Sequence, residues 1–213
     1  MMKQSLRDMK REATAHALAE AAFQLAIEHG LDGFVVEDVA QLAGYSRRTF
    51  ANHYSCKEEA VAMAAFPFHG FDEFINLVEK LPESSTPLDV MYQFTKMRLT
   101  GGVIRDMRQL VLLSKDYPSL GPYILSALHQ FQMAAQRLLN ELFQDHYSKE
   151  YTHFLAGAMV AAVTPLFNGD IEVLLPGQTQ DEAPNAKPFD QYLDKLFGYL
   201  RNGFRSNPQE TKS

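Results

Sequence analysis

The chain has no tryptophan, a single cysteine and no hydrophobic run long enough to cross a bilayer. One thiol, Cys56, excludes an intrachain disulfide and fits a reducing compartment. The longest strongly apolar stretch, Phe154 to Phe167, falls short of the roughly 20 residues a membrane helix needs and contains Thr164 and Pro165, so it reads as a buried helix and not as a membrane anchor. Met1 to Glu12 alternates polar and charged residues without the apolar centre of a secretory signal, and the expectation is a cytoplasmic protein. A glycine-rich phosphate loop, paired-cysteine zinc spacing and a nucleophile elbow are all missing, and pairs such as Ser126 with His129 arise by chance. We therefore expect no enzyme activity, no cofactor and no metal site. Strand-like alternation is nowhere long enough to matter, and no internal repeat is present.

An excess of positive charge is lacking as well, since the net charge is −6. Taken over the whole chain this disfavours nucleic acid, whose phosphates demand Lys and Arg. The distribution changes that reading. Up to Lys57, the basic residues Lys3, Arg7, Lys10, Arg11, Arg47, Arg48 and Lys57 are matched one for one by acids, so the whole negative excess lies further on. Any DNA contact must come from the first quarter of the chain.

What is present is helical periodicity from end to end. With 46% apolar and 22% charged residues the chain has the profile of a folded globular protein. Leu18, Ala22, Leu25 and Ala26 recur at helical spacing and predict a first helix over Lys10 to His29, with Gly30 as its stop. Val36, Val39, Ala40 and Ala43 share one face of a short second helix over Glu37 to Ala43. Gly44 supplies the positive φ of a tight turn, and Ser46 caps a third helix over about Arg47 to Tyr54. Lys57 opens a fourth helix, interrupted at Pro67 and Gly70, whose period resumes at Phe71, Phe74, Ile75 and Val78; Glu83 to Pro87 is a linker. Later helices are predicted over Leu88 to Thr100, Ile104 to Lys115, Gly121 to Phe143, Lys149 to Phe167 and Phe189 to Phe204, with Gly101-Gly102 as a stop and Leu175 to Pro188 as a loop.

The segment from Val36 to Tyr54 fits a helix-turn-helix for physical reasons. Ala40 is small where two helices cross, Gly44 makes the turn, and Val39, Tyr45 and Phe50 are placed to form the internal core. Arg47, Arg48, Thr49 and Asn52 then lie on the outer face of the second helix near its start, where base edges are read. In order, spacing and residue type, LRDMKREATAHALAEAAFQLAIEHG, VEDVAQLAGYSRRTF and NHYSCKEEA resemble the TetR family of transcriptional regulators over about the first 60 residues. The resemblance implies that Arg47, Arg48, Thr49 and Asn52 read or approach bases, that His53 and Lys57 clamp phosphates, and that Lys10 and Arg11, with Arg7, assist from the arm. Val35, Ala51 and Cys56 depart from the pattern: the first lacks a helix-capping oxygen, the second a common aromatic phosphate contact, and the third replaces the usual Ser, Asn or Asp cap.

The resemblance further implies an all-α protein: a three-helix DNA-binding domain over residues 1–60 and a helical ligand-binding and dimerisation domain over residues 61–213. Its partners would be a double-stranded DNA operator, a small-molecule effector and a second copy of the chain, with no membrane. Tyr92, Phe94, Met97, Met107, Tyr117, His129 and Met133 either line the effector cavity or are plain core. The last two long helices would pair with their copies through Tyr151, Phe154, Leu155, Ala158, Met159 and Ala162 on one and Tyr192, Leu196 and Tyr199 on the other. A two-fold dimer then reads half-sites about 34 Å apart. Cys56 is either a redox sensor at a helix N-terminus or inert. The alternative to a regulator is a helical dimer that binds a protein, with its arginine face reassigned.

Overall fold

The computed structural model describes residues 6–66, 78–175, 178–179 and 186–203. Among them the α-helices are α1 (Leu6–His29), α2 (Val36–Leu42), α3 (Arg47–Ala51), α4 (Lys57–Ala64), α5 (Pro87–Arg98), α6 (Gly101–Asp116), α7 (Gly121–Phe143), α8 (Lys149–Asn168) and α9 (Phe189–Arg201). The only strands among the described residues are two residues each, β1 (Val173–Leu174) pairing in parallel with β2 (Lys187–Pro188), too short to show in a period-2 pattern. The fold is all-α. The predicted break at Pro67 and Gly70, and the resumption at Phe71, Phe74 and Ile75, lie outside the described residues, as does most of the loop before β2.

Two compact units form, and they do not follow sequence order: Met1–Asp72 with Arg105–Phe131, and Glu73–Ile104 with Gln132–Ser213. In the first, α1 packs on α2 and α4 through buried Leu18, Ala22 and Ala26. Helix α1 begins at Leu6, earlier than its apolar stripe signals, because Arg7, Lys10, Arg11 and Glu12 favour helix without adding a buried face. It stops at Gly30, whose φ of 70° is left-handed and where a Cβ would collide with the Tyr117 hydroxyl. Val39 and Phe50 are buried together as the core of the α2–α3 pair, each adding about 1.5–3 kcal/mol by leaving water. Tyr45 is a correction to the expected core, because it is 39% exposed. The turn at Gly44 carries it outward, toward α1, where its hydroxyl lies 3.5 Å from Thr14 Oγ1.

The second unit is built on α5, α8 and α9 around buried Val90, Met91, Phe94, Leu166, Leu193 and Phe197. Helix α5 opens with a reciprocal cap: Thr86 Oγ1 accepts from the Asp89 N–H at 3.3 Å, and Asp89 Oδ2 accepts from the Thr86 N–H at 3.0 Å. Arg201 of α9 donates to Asp89 at 2.8 Å, and Lys96 meets Asp190 at 3.3 Å, so charges tie the two helices at their rims. Gly101-Gly102, expected as a stop, instead forms the first turn of α6. Thr100 Oγ1 accepts the Val103 N–H at 3.3 Å there, and first-turn N–H groups need no intrahelical partner.

Candidate nucleic-acid interface

Helix α3 owes its position to groups that face inward. Ser46 Oγ accepts the Thr49 N–H at 3.0 Å and fixes the start of the helix, while the Tyr45 N–H donates to Ala40 O at 2.8 Å and closes the turn. At the far end the Tyr54 hydroxyl donates to Ala15 O at 2.9 Å and so anchors α3 to α1; burial and the nearby Glu59 push its pKa up to about 12. The two atypical caps found in the sequence are compensated locally. Val35 offers no oxygen, but its N–H donates to Asp38 Oδ2 at 2.8 Å, and Cys56 Sγ accepts the Glu59 N–H at 3.5 Å.

With Phe50 turned in, Arg47, Arg48 and Asn52 are exposed on the opposite face. Thr49 is half-buried, and its hydroxyl sits 2.9 Å from Ser46 Oγ. Arg47 is not unattached: its Nη1 meets Glu37 Oε1 on α2 at 2.8 Å, a pairing that sequence spacing does not suggest across the turn. His53 and Asn52 share a cleft with Arg7, Asp8, Lys10, Arg11 and Thr14 of α1. The start of α1 and the end of α3, far apart in sequence, therefore converge on one basic recess. Burial first, and then the positive charge of Arg11, hold the His53 imidazole below its ordinary value.

Lys57 has a structural task in this conformation. Its Nζ donates to Leu31 O at 2.6 Å and to Phe34 O at 2.8 Å, and it lies 4.9 Å from the centre of the Phe34 ring. The segment between α1 and α2 is thereby strapped to the start of α4. Cys56 is half-buried, and the proximity of its thiol raises the pKa of the Tyr123 hydroxyl.

The residues expected to line an effector cavity divide between the two units. In the first, Met107 is buried, Tyr117 is half-buried against Gly30, and His129 is exposed. In the second, Phe94 is buried, and Met97 and Met133 are half-buried. Tyr92 is held by α9: its hydroxyl donates to Asp194 at 2.6 Å and its ring stands edge-on to Phe197 at 5.0 Å. Arg98 is buried, 5.8 Å from the Phe94 ring centre.

The residues expected at a dimer interface also separate. Phe154, Ala158, Ala162, Leu196 and Tyr199, together with Gly157, Ala161 and Leu200, line an open and mostly apolar groove of α8 and α9. Phe154 is 67% exposed, unusual for an aromatic of its size. Tyr151 is exposed and stacked on Tyr147 at 5.0 Å, and Tyr192 donates from its hydroxyl to Ala162 O at 2.7 Å. Leu155 and Met159 are corrections. Both are buried within the protomer, and Met159 Sδ accepts from Thr95 Oγ1 at 3.4 Å, because they lie on the inner stripe of α8.

Among the described residues no three His, Cys, Asp or Glu side chains cluster as metal ligands, and no helix is long and apolar enough to cross a membrane. Residues 18–72 match the family described as "Bacterial regulatory proteins, tetR family". An uncharacterized HTH-type transcriptional regulator of Bacillus subtilis (strain 168), YwcC, is 36% identical over 58 residues, which cover 27% of this chain and 26% of that one. The HTH-type transcriptional regulator TcmR of Streptomyces glaucescens is 32% identical over 87 residues, covering 40% of this chain and 37% of its own. The chain thus matches well under two thirds of the length of either relative. A solved structure of a transcriptional regulator from Rhodococcus sp. Rha1 is similar over 91% of this chain and 99% of its own, at 20% identity and a TM-score of 0.46.

Proposed function

We propose that this chain, whose residues 18–72 match the family of bacterial regulatory proteins described as tetR, is a homodimeric transcriptional repressor that leaves a palindromic operator when a small molecule binds. The observation that carries this reading is the outer face of α3, where Arg47, Arg48 and Asn52 stand exposed on a helix locked from behind by Val39, Phe50 and Tyr54. Polar side chains held rigidly at the start of such a helix suit the major groove. The recess of Arg7, Lys10, Arg11, Thr14, Asn52 and His53 suits one backbone phosphate beside the groove, with Asp8 as its single acid. Lys57 joins the phosphate contacts if DNA binding draws its ammonium from the Leu31 and Phe34 carbonyls.

On this reading residues 1–60 bind DNA, and the remainder holds the effector and the second copy. The groove of Phe154, Ala158, Ala162, Leu196 and Tyr199 supports pairing of α8 and α9 with their copies, because so open an apolar face is costly in water. We place the effector against Phe94, Met97 and Met133 of the second unit. An effector that prefers one of two dimer shapes changes operator affinity by that preference, ordinarily about 1–3 kcal/mol. The protein works in the cytoplasm, where the operator lies.

The test is selection of bound duplexes from a random DNA pool at moderate salt. Enrichment of a palindrome with half-sites about one helical turn apart is expected. A folded protein that enriches nothing would replace this reading with a helical dimer that binds protein.

A further inference from the structure

The pairing of Arg47 with Glu37 is short, at 2.8 Å, yet its side chains are 75% and 52% exposed. Exposed ion pairs add little to stability, and this one is not needed to hold α2 against α3, a task already met by Val39, Phe50 and the turn bonds. Its two neighbours in sequence differ from it in kind. Asp38 is engaged in the cap of α2, and Arg48 is exposed, whereas Glu37 reaches across the turn to the first residue of the candidate recognition helix.

We propose that Glu37 is a specificity-determining residue, which turns Arg47 from a general phosphate binder into a reader of base edges. This rests on the DNA-binding reading above. A free guanidinium near DNA binds any phosphate, and such contacts give affinity without sequence information. A carboxylate within hydrogen-bond distance of that guanidinium repels phosphate oxygens. It also holds the guanidinium plane through one nitrogen, which leaves the remaining N–H donors aligned.

The major groove offers what satisfies both partners at once. Guanine presents O6 and N7 acceptors to Arg47, and an adjacent cytosine or adenine presents an exocyclic amino donor to Glu37. A phosphate satisfies only the arginine and leaves the glutamate facing like charge. The pair therefore selects a base step in which a guanine acceptor edge lies beside an amino donor. Sequence reading found Arg47 from the motif but passed over Glu37, because an acidic residue in the first turn of a helix is ordinarily explained by the helix dipole.

The experiment compares the full-length protein with Glu37→Gln, which keeps size and shape, and with Arg47→Gln, using duplex selection followed by affinity for the selected site and for random duplex over a range of salt. With Glu37→Gln, random-duplex affinity should rise, its salt dependence should steepen by about one phosphate's worth, and the ratio of site to random affinity should fall by about tenfold. One base step per half-site should lose its enrichment, and the same step should lose it with Arg47→Gln. If Glu37→Gln melts as the parent does and selects the same site with an unchanged ratio, Glu37 is a solvated surface charge and the inference fails while the regulator reading stands. If the parent protein itself selects no site, both fail together.

Discussion

On the proposed reading the helix-turn-helix and the α8–α9 face both meet a partner outside the chain, but they are built in opposite ways. In the first, outward residues are polar and inward residues apolar, so Arg48 and Phe50, two positions apart, have opposite chemistry and opposite burial. In the second, both sides are apolar: Phe154 is 67% exposed and its neighbour Leu155 is 5% exposed. A surface meant for DNA announces itself by charge against a core, whereas a surface meant for another helix looks like core on both faces.

Replacing each member of that apolar pair with aspartate sharpens the contrast most. Leu155→Asp buries an unpaired carboxylate and is expected to cost more than about 3 kcal/mol of folding stability, read as lost helicity or a sharply lowered melting temperature. Phe154→Asp should leave the fold intact but weaken the dimer at least ~100-fold, seen by sedimentation. A dimer that survives Phe154→Asp would move the interface elsewhere.

A middle-sized effect is expected in the first unit, where Lys57→Met leaves the Leu31 and Phe34 carbonyls without their charged donor. About 2 kcal/mol of stability should be lost in denaturant unfolding, because hydrogen bonds to charged groups are the stronger ones. An unchanged midpoint would make the strap incidental and return Lys57 to a purely DNA-facing role.

The smallest effect concerns His53. Burial and Arg11 hold its pKa below 6.5 in the free domain, and a phosphate seated in the recess would favour the imidazolium and raise it. Complex formation then takes up a proton, so operator affinity should rise as pH falls from about 7.5 to about 6, and His53→Gln should flatten the profile. The stability of the free domain moves the other way: its lowered pKa means the folded state binds fewer protons than the unfolded one, so stability falls as pH drops through about 6.5. If affinity shows no pH dependence that His53→Gln removes, no phosphate sits beside this histidine.

The amino-terminal half of this comparison was legible from residues alone because its constraints are local. Gly44 needs positive φ, Ser46 caps within three residues, and Phe50 alternates with arginines inside one turn. Tyr45 was misplaced because the turn direction, not its hydrophobicity, decides which way it points. Among the candidate effector residues, Tyr92 and His129 share a helical, apolar-rich context in sequence, yet one is bonded to Asp194 and the other is exposed. Nothing in periodicity distinguishes these outcomes.

By itself the sequence determined that the fold is of the all-α class, where its turns and most of its caps fall, and which short helix carries the arginines, since all three follow from backbone preferences and spacing over a few residues. Only tertiary structure decided that Glu37 meets Arg47, that Lys57 holds Leu31 and Phe34, that the arm and His53 share one recess, and which stripe of α8 faces out. Those contacts join residues that local rules treat as independent, and their geometry is set by how whole helices pack.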